Sequence, residues 1–353
     1  MSEEDTFTGA EFTGTKEVSE NLKFDQNRLQ QWMDANIQSS GKILQIEQFN
    51  GGQSNPTYKI TTDNKKLVLR RKPPGKLLPS AHAVDREYKV ISALAETNVP
   101  VPETYGLCDD SDVVGTPFFV MDFLEGEVYW DHMLPSASNE ERIKIYQQKN
   151  KVLANLHSVD YKAVGLESYG KPGNYVARQV SRWTTQYLAS ETESIPEMDK
   201  LIEWLPQNIP NDDETSIVHG DFRLDNMIYK NHEVIGVLDW ELSTLGHPIA
   251  DFSYHCLTWR TLPAMQDLKL LKELGIPSEV EYRDMYSENT GKDLSANWEF
   301  YMVFNIFKVA AICQGILGRV RDGTASNKHA EARGMQVFPL SAGAWSIVEA
   351  NFK

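Results

Sequence analysis

Residues 217–240 read IVHGDFRLDNMIYKNHEVIGVLDW, and no other stretch says as much about fold and chemistry together. It holds two short β-rich runs, NMIYK from Asn226 and VIGVL from Val234, with a turn at Asn231 to Glu233 between them. Antiparallel pairing of the two sets Asn226, which opens the first strand, beside Asp239, which closes the second. Just upstream, His219-Gly220-Asp221 and Asn226 have the form H-G-D-x-x-x-x-N. An amide oxygen and a carboxylate at one end of a hairpin are hard oxygen ligands of the kind Mg²⁺ takes. Asp221 is a carboxylate suited to accept the proton of an attacking hydroxyl or to orient that hydroxyl. Phosphoryl transfer needs both parts, together with donors that cradle the phosphates. The expected roles are catalytic for Asp221 and metal-binding for Asn226 and Asp239, with His219 a structural hydrogen-bonding residue of the loop.

The flanking sequence divides into a smaller β-rich part and a larger helical one. Leu29, Trp32, Met33 and Ile37 recur at helical spacing and predict a helix from about Asp25 to Ile37. Short β-rich runs follow from Ile43, Pro56 and Lys66, then a helix over about 82–96, then strands near Thr104 and Thr116. After Gly126 helices dominate, starting with one whose Ser138 and Glu141 fit a capping box. The expected fold is α+β and bilobal: a small antiparallel-sheet N-lobe with one main helix, and a larger, mostly helical C-lobe. The expected divisions are 1–40, an acidic tail plus the first helix; 41–123, the N-lobe; and 124–353, the C-lobe. Residues 1 to about 22 have few apolar anchors and are expected to be mobile or surface-lying.

The chain has 353 residues, with 35 Lys and Arg against 50 Asp and Glu, a formal charge of −15. Such a surface repels nucleic-acid phosphates and anionic lipid headgroups, so neither is an expected partner. The three cysteines, Cys108, Cys256 and Cys313, lack the spacing of a zinc site or disulfide framework. No apolar run approaches the ~20 residues that cross a bilayer, and the N-terminus does not have the form of a signal peptide. The expected location is the cytoplasm.

With these residues in view, the chain resembles the aminoglycoside phosphotransferase and choline kinase superfamily, which has a protein-kinase-like fold and H-G-D where protein kinases carry H-R-D. The resemblance runs from about Ile43 to the end. It implies a nucleotide, ATP with GTP left open, held with Mg²⁺. FNGGQSNPTYKI looks like the phosphate-covering hairpin through Gly51, Gly52, Ser54 and Asn55, although it departs from G-x-G-x-x-G. Arg70 stands where kinases place a phosphate-pairing lysine, and Glu87 is its implied partner. FFVMDFLEG resembles the hinge, with Met121 at the back of the pocket and Asp122, Phe123 and Leu124 along the base edge. Asp251 resembles the aspartate that braces the catalytic loop. Asp239 is followed by Trp240 and Glu241 rather than Phe and Gly, so a D-F-G switch is absent.

The segments starting at Leu69, Ala177 and Ala311 resemble one subgroup in particular, kinase-like domains related to those fused to acyl-CoA dehydrogenases. That likeness implies a hydroxyacyl-CoA as phosphate acceptor and makes Arg178, Gln179, Trp183 and Arg319 candidates for a substrate wall. A basic patch for such an acceptor would draw on Lys72, Lys76, Arg178, Arg182, Arg319 and Arg321. The alternatives are an aminoglycoside or amino-alcohol kinase, and a non-catalytic nucleotide-binding module of the same fold.

Overall fold

The computed structural model describes residues 9, 13–51, 55–75, 82–325 and 329–352. They form two compact units. The first comprises the chain up to Tyr169 with Asp221–Ser243 and Leu274–Ile276; the second comprises Gly170–Gly220, Thr244–Glu273 and Pro277 onward.

In the first unit β1 (Thr15–Lys16), α1 (Gln26–Asn36), β2 (Ile43–Phe49), β3 (Thr57–Thr62), β4 (Lys66–Arg71), α2 (Val84–Leu94), β5 (Thr104–Cys108), α3 (Ser111–Val114) and β6 (Phe118–Asp122) follow in order. The strands make one antiparallel sheet in the order β1-β2-β3-β4-β6-β5. Alternation sorts β4: Leu67, Leu69 and Arg71 turn to one face, and Val68 and Arg70 to the other. The first face packs with Tyr58, Ile60, Phe118 and Val120 against Leu29 and Met33 of α1. Asp25 starts that helix by accepting from the N–H groups of Asn27 and Arg28. Trp32 of α1 meets Phe118 edge-on at 4.8 Å between ring centroids and lies so near Gly106 that a Cβ there would stand 3.1 Å from the indole.

Of two expectations about this unit, the second needs correction. Residues 13–22 are anchored: β1 pairs with Phe49 and Gln48 at the sheet edge, and the Thr15 hydroxyl donates to Glu47 at 2.9 Å. Polar side chains and Val18, which packs on the core, hold this segment at the surface, the second of the two expected states. The first helix, grouped with the tail in the sequence, belongs to the core of the sheet, and the boundary expected at 123/124 lies inside the first unit.

That unit continues through α4 (Asn139–Ser158), which opens on the expected capping box with both of its bonds present. The chain then enters the second unit with α5 (Tyr175–Ser190), α6 (Pro196–Gln207) and β7 (Ser216–Val218). It returns to the first for β8 (Met227–Lys230) and β9 (Glu233–Val237). Asn231 and His232 join these two strands with φ of 52° and 65°, the left-handed pair that a two-residue turn requires.

The second unit resumes with β10 (Thr244–Gly246), antiparallel to β7, and α7 (Pro248–His255). After the short α8 (Thr258–Thr261), α9 (Pro263–Gln266) and α10 (Leu268–Leu274) come α11 (Glu279–Thr290), α12 (Trp298–Arg321), α13 (Ala330–Gly334) and α14 (Val337–Asn351). By length and composition α12 could cross a membrane, which corrects the expectation from the sequence. Of its most apolar 18-residue window, 72% is buried inside the protein, as in a core helix.

Candidate active site

Asp221, Asn226 and Asp239 come together in the first unit because β8 and β9 pair as expected. Met227 stands opposite Val237, and the N–H of Leu238 donates to the Asn226 carbonyl at 2.8 Å. Asn226 ends a 3₁₀ turn, Leu224–Asn226, and its Nδ2 donates to the Asp221 carbonyl at 2.9 Å and to Asp221 Oδ2 at 3.3 Å. Two residues beyond β9, Asp239 takes φ 62° and ψ 59°, a left-handed conformation that Asp tolerates better than most side chains.

In the second unit the Asp251 carboxylate accepts from the N–H groups of His219 and Gly220, each at 2.9 Å. This matches the bracing role the resemblance implied. Gly220 itself has φ 83°, a region that favours glycine.

Arg70 links the sheet to Asp239. Its Nη2 lies 2.7 Å from Asp239 Oδ1 and its Nε 2.8 Å from Glu87 Oε2. The Glu87 side chain is 1% exposed. Burial pushes its carboxyl up to about 7, opposed by the Arg70 guanidinium. Desolvation likewise works against the Arg70 charge, but Glu87 and Asp239 more than offset it and raise the guanidinium above its ordinary value.

Asn55, expected near the phosphates, is fully buried instead, and its Nδ2 donates to Glu87 Oε1 at 2.8 Å. It is thus the far end of a relay, Asn55 to Glu87 to Arg70 to Asp239. Gly51 stands two residues beyond β2, while Gly52 and Ser54, like Lys76 of the proposed basic patch, lie outside the described residues.

The hinge segment leaves β6 as expected. Met121, buried, stands opposite Val68 on the Arg70 side of the sheet. The Asp122 N–H donates to Glu103 O at 2.9 Å and that of Phe123 to Lys66 O at 3.3 Å, so both of these N–H groups are engaged within the sheet. Leu124 reaches the catalytic hairpin: a Cβ on Gly236 would stand 2.2 Å from its Cδ1. Glu127 then bridges to Tyr229 of β8, with Gly126 so close that a Cβ would be 2.4 Å from the Tyr229 carbonyl. The segment after β6 and the β8–β9 hairpin are thus directly joined.

The residues expected to form a substrate wall are spread along the length of α5. Arg178 folds back on its own loop, donating to the carbonyls of Gly173 and Lys171. Trp183 Nε1 donates to Gln179 Oε1 at 3.1 Å, one turn away on α5. Arg319 is exposed beside Gly318, which packs on Ser190 at the opposite end of α5, about 18 Å of helix from Arg178.

The sequence reading also missed Arg223 and Asp225. Arg223 Nη2 lies 2.9 Å from Asp225 Oδ2 and its Nε 3.4 Å from Asp221 Oδ2. The signal was present: in Asp221-Phe222-Arg223-Leu224-Asp225 the charges alternate with two apolar residues, each 1% exposed.

The donor set fits magnesium. That ion is commonly held by one or two protein carboxylates along with substrate phosphates and water. Among the described residues no cluster of three His, Cys, Asp or Glu side chains suits a fully protein-ligated metal. Asp239, its side chain 36% exposed, offers a carboxylate, and the Asn226 amide, with its nitrogen on Asp221, has its oxygen left as a ligand.

Comparison with known proteins bears on the family and the fold. The chain is 44% identical over 342 residues to mouse acyl-CoA dehydrogenase family member 10, covering 94% of this chain and 32% of that protein. It is 42% identical over 346 residues to the probable acyl-CoA dehydrogenase IBR3 of Arabidopsis thaliana, covering 90% and 42%. The chain therefore spans less than half the length of these curated relatives. A Ralstonia eutropha crystal structure, named as that of an aminoglycoside phosphotransferase, superposes with TM-score 0.86 at 46% identity, covering 93% of this chain and 99% of that one. An aminoglycoside phosphotransferase crystallised with ADP and hygromycin B shares the fold alone, with TM-score 0.56, 14% identity, and 92% and 98% coverage. Residues 45–285 match the phosphotransferase enzyme family, abbreviated APH, and the chain belongs to that family.

Proposed function

We propose that this phosphotransferase moves the terminal phosphoryl group of Mg-ATP to a hydroxyl of a small molecule, with a hydroxyacyl-CoA as acceptor. The observation that carries the kinase reading is the meeting of Asp221, Asn226, Asp239, Arg70 and Glu87 within one unit. Related structures that hold ADP support a nucleotide donor, and relatives named as acyl-CoA dehydrogenase family members support the acceptor. The three cysteines are buried free thiols, in keeping with a reducing cytoplasm as the proposed location.

Asn226 and Asp239 would hold the magnesium, which when bound would supply positive charge against that of the phosphates. Asn226 Nδ2 also fixes Asp221, so one side chain ties the acceptor position to the metal position. Asp221 orients the acceptor hydroxyl and takes its proton. The hydroxyl oxygen bonds to the terminal phosphorus as the bond from phosphorus to the bridging oxygen breaks and ADP departs. Transfer is direct, with no covalent enzyme intermediate.

Thermal unfolding of the wild type and Asp239→Ala with ATP, GTP and ADP, each with and without magnesium, tests this reading. The wild type should show a magnesium-dependent rise in Tm with ATP, and Asp239→Ala should lose the magnesium-dependent part. An unshifted, folded wild type across all nucleotides would overturn it.

A further inference from the structure

The catalytic loop carries a guanidinium that the family motif does not require. Phe222 and Leu224 are 1% exposed, and these two buried anchors turn Asp221, Arg223 and Asp225 the other way. Arg223 joins the carboxylates on either side, with Nη2 2.9 Å from Asp225 Oδ2 and Nε 3.4 Å from Asp221 Oδ2. Asn226 Nδ2 reaches the same Oδ2 of Asp221 at 3.3 Å, so a cation and an amide converge on one oxygen of the catalytic carboxylate.

We propose that Arg223, anchored by Asp225, is a positioning residue that fixes the carboxylate plane of Asp221 for the acceptor hydroxyl. The inference rests on the kinase reading above. The Arg223 contact adds to that of Asn226 on the same carboxylate, and each further contact narrows the orientations the carboxylate can take. Orientation is worth much in such a reaction, because a misplacement of about 1 Å can cost 10²-fold in rate.

The partners differ in their surroundings, which explains the order of the chain. The Asp225 side chain is 20% exposed and lies 2.9 Å from the Arg223 guanidinium, against 3.4 Å for Asp221, so it anchors the cation at the shorter distance. The Arg223 side chain is 50% exposed, so its hold on Asp221 comes from geometry rather than from deep burial. A lysine retains the charge but lacks the planar fork that spans two carboxylates.

The test is a set of phosphate-transfer measurements on the wild type, Arg223→Gln, Arg223→Lys, Asp225→Asn and Asp221→Ala, and on Arg223→Gln combined with Asp221→Ala. Terminally labelled ATP is the donor, and thermal unfolding is recorded alongside. Arg223→Gln should lower kcat about 10- to 100-fold with the KM for Mg-ATP within about two-fold of wild type. Asp225→Asn should behave alike, and Arg223→Lys should recover part of the loss. In the Asp221→Ala background Arg223→Gln should cost less than about two-fold further, because a residue acting through Asp221 has nothing left to position.

A full additional loss in that background, at unchanged Tm, would overturn the proposal. So would a kcat within two-fold of wild type for Arg223→Gln. Should Arg223→Gln fail to fold, Arg223→Lys and Asp225→Asn make the same comparison, each with Asp221→Ala. A wild type that transfers no phosphate would instead overturn the kinase reading, and this inference with it.

Discussion

Glu87 shows how a single burial sets a measurable property. Between its ordinary value of 4.5 and about 7, the folded protein holds a proton at Glu87 that the unfolded chain has released. Its contribution to stability is thus fully present below pH 4.5 and is lost as the pH rises through about 7. Denaturant titrations at pH 5 and pH 8 should show the wild type losing roughly 2 to 3 kcal/mol more than Glu87→Gln over that interval. Equal losses would show that Glu87 is not the titrating group. At this scale the sequence was legible wherever a residue's chemistry is fixed by its type and place in a motif. Asp221, Asn226 and Asp239 met as expected because hairpin register follows from strand period. Asn55 and Arg223 were not legible, because their roles depend on partners that only folding supplies: Glu87, 32 positions away, for the first, and two desolvated loop carboxylates for the second.

At the scale of elements, the strands and principal helices of the first unit follow from periodicity, and their joints follow from close approach. Gly126 has an ordinary backbone conformation, so its need for glycine comes from the Tyr229 carbonyl, 2.4 Å from where a Cβ would stand. That atom belongs to backbone and cannot rotate aside. Gly126→Ala should therefore force the hinge off β8, at a cost of about 1–3 kcal/mol in chemical denaturation, with weaker Mg-ATP binding by calorimetry. Unchanged stability and affinity would mean that the join between hinge and hairpin is looser than the contact of Glu127 with Tyr229 suggests. The edge strand β1 escaped the sequence reading for a related reason. Two residues of Thr and Lys have no period to detect, and a neighbouring strand's exposed edge determines their structure. Arg178, Gln179 and Trp183 bond to one another or to their own loop, which helical spacing could not disclose.

For the molecule as a whole, family membership and the fold agree, and the residues proposed as catalytic fall within one unit. The formal charge of −15 makes the few cations near the site informative, since Arg70 and Arg223 each serve a carboxylate of the proposed machinery. The central claim is that this machinery transfers phosphate and that Asp221 is the residue through which the acceptor reacts. Its most direct test is transfer of label from terminally labelled Mg-ATP to a panel of hydroxyl acceptors, hydroxyacyl-CoAs, aminoglycosides and amino alcohols among them, by the wild type and Asp221→Ala. The account predicts transfer to one acceptor class by the wild type, strongest for hydroxyacyl-CoA, with turnover reduced roughly 10²- to 10⁴-fold in Asp221→Ala while Mg-ATP still binds. Undiminished transfer by Asp221→Ala, or a wild type that binds Mg-ATP and phosphorylates nothing in the panel, would contradict it.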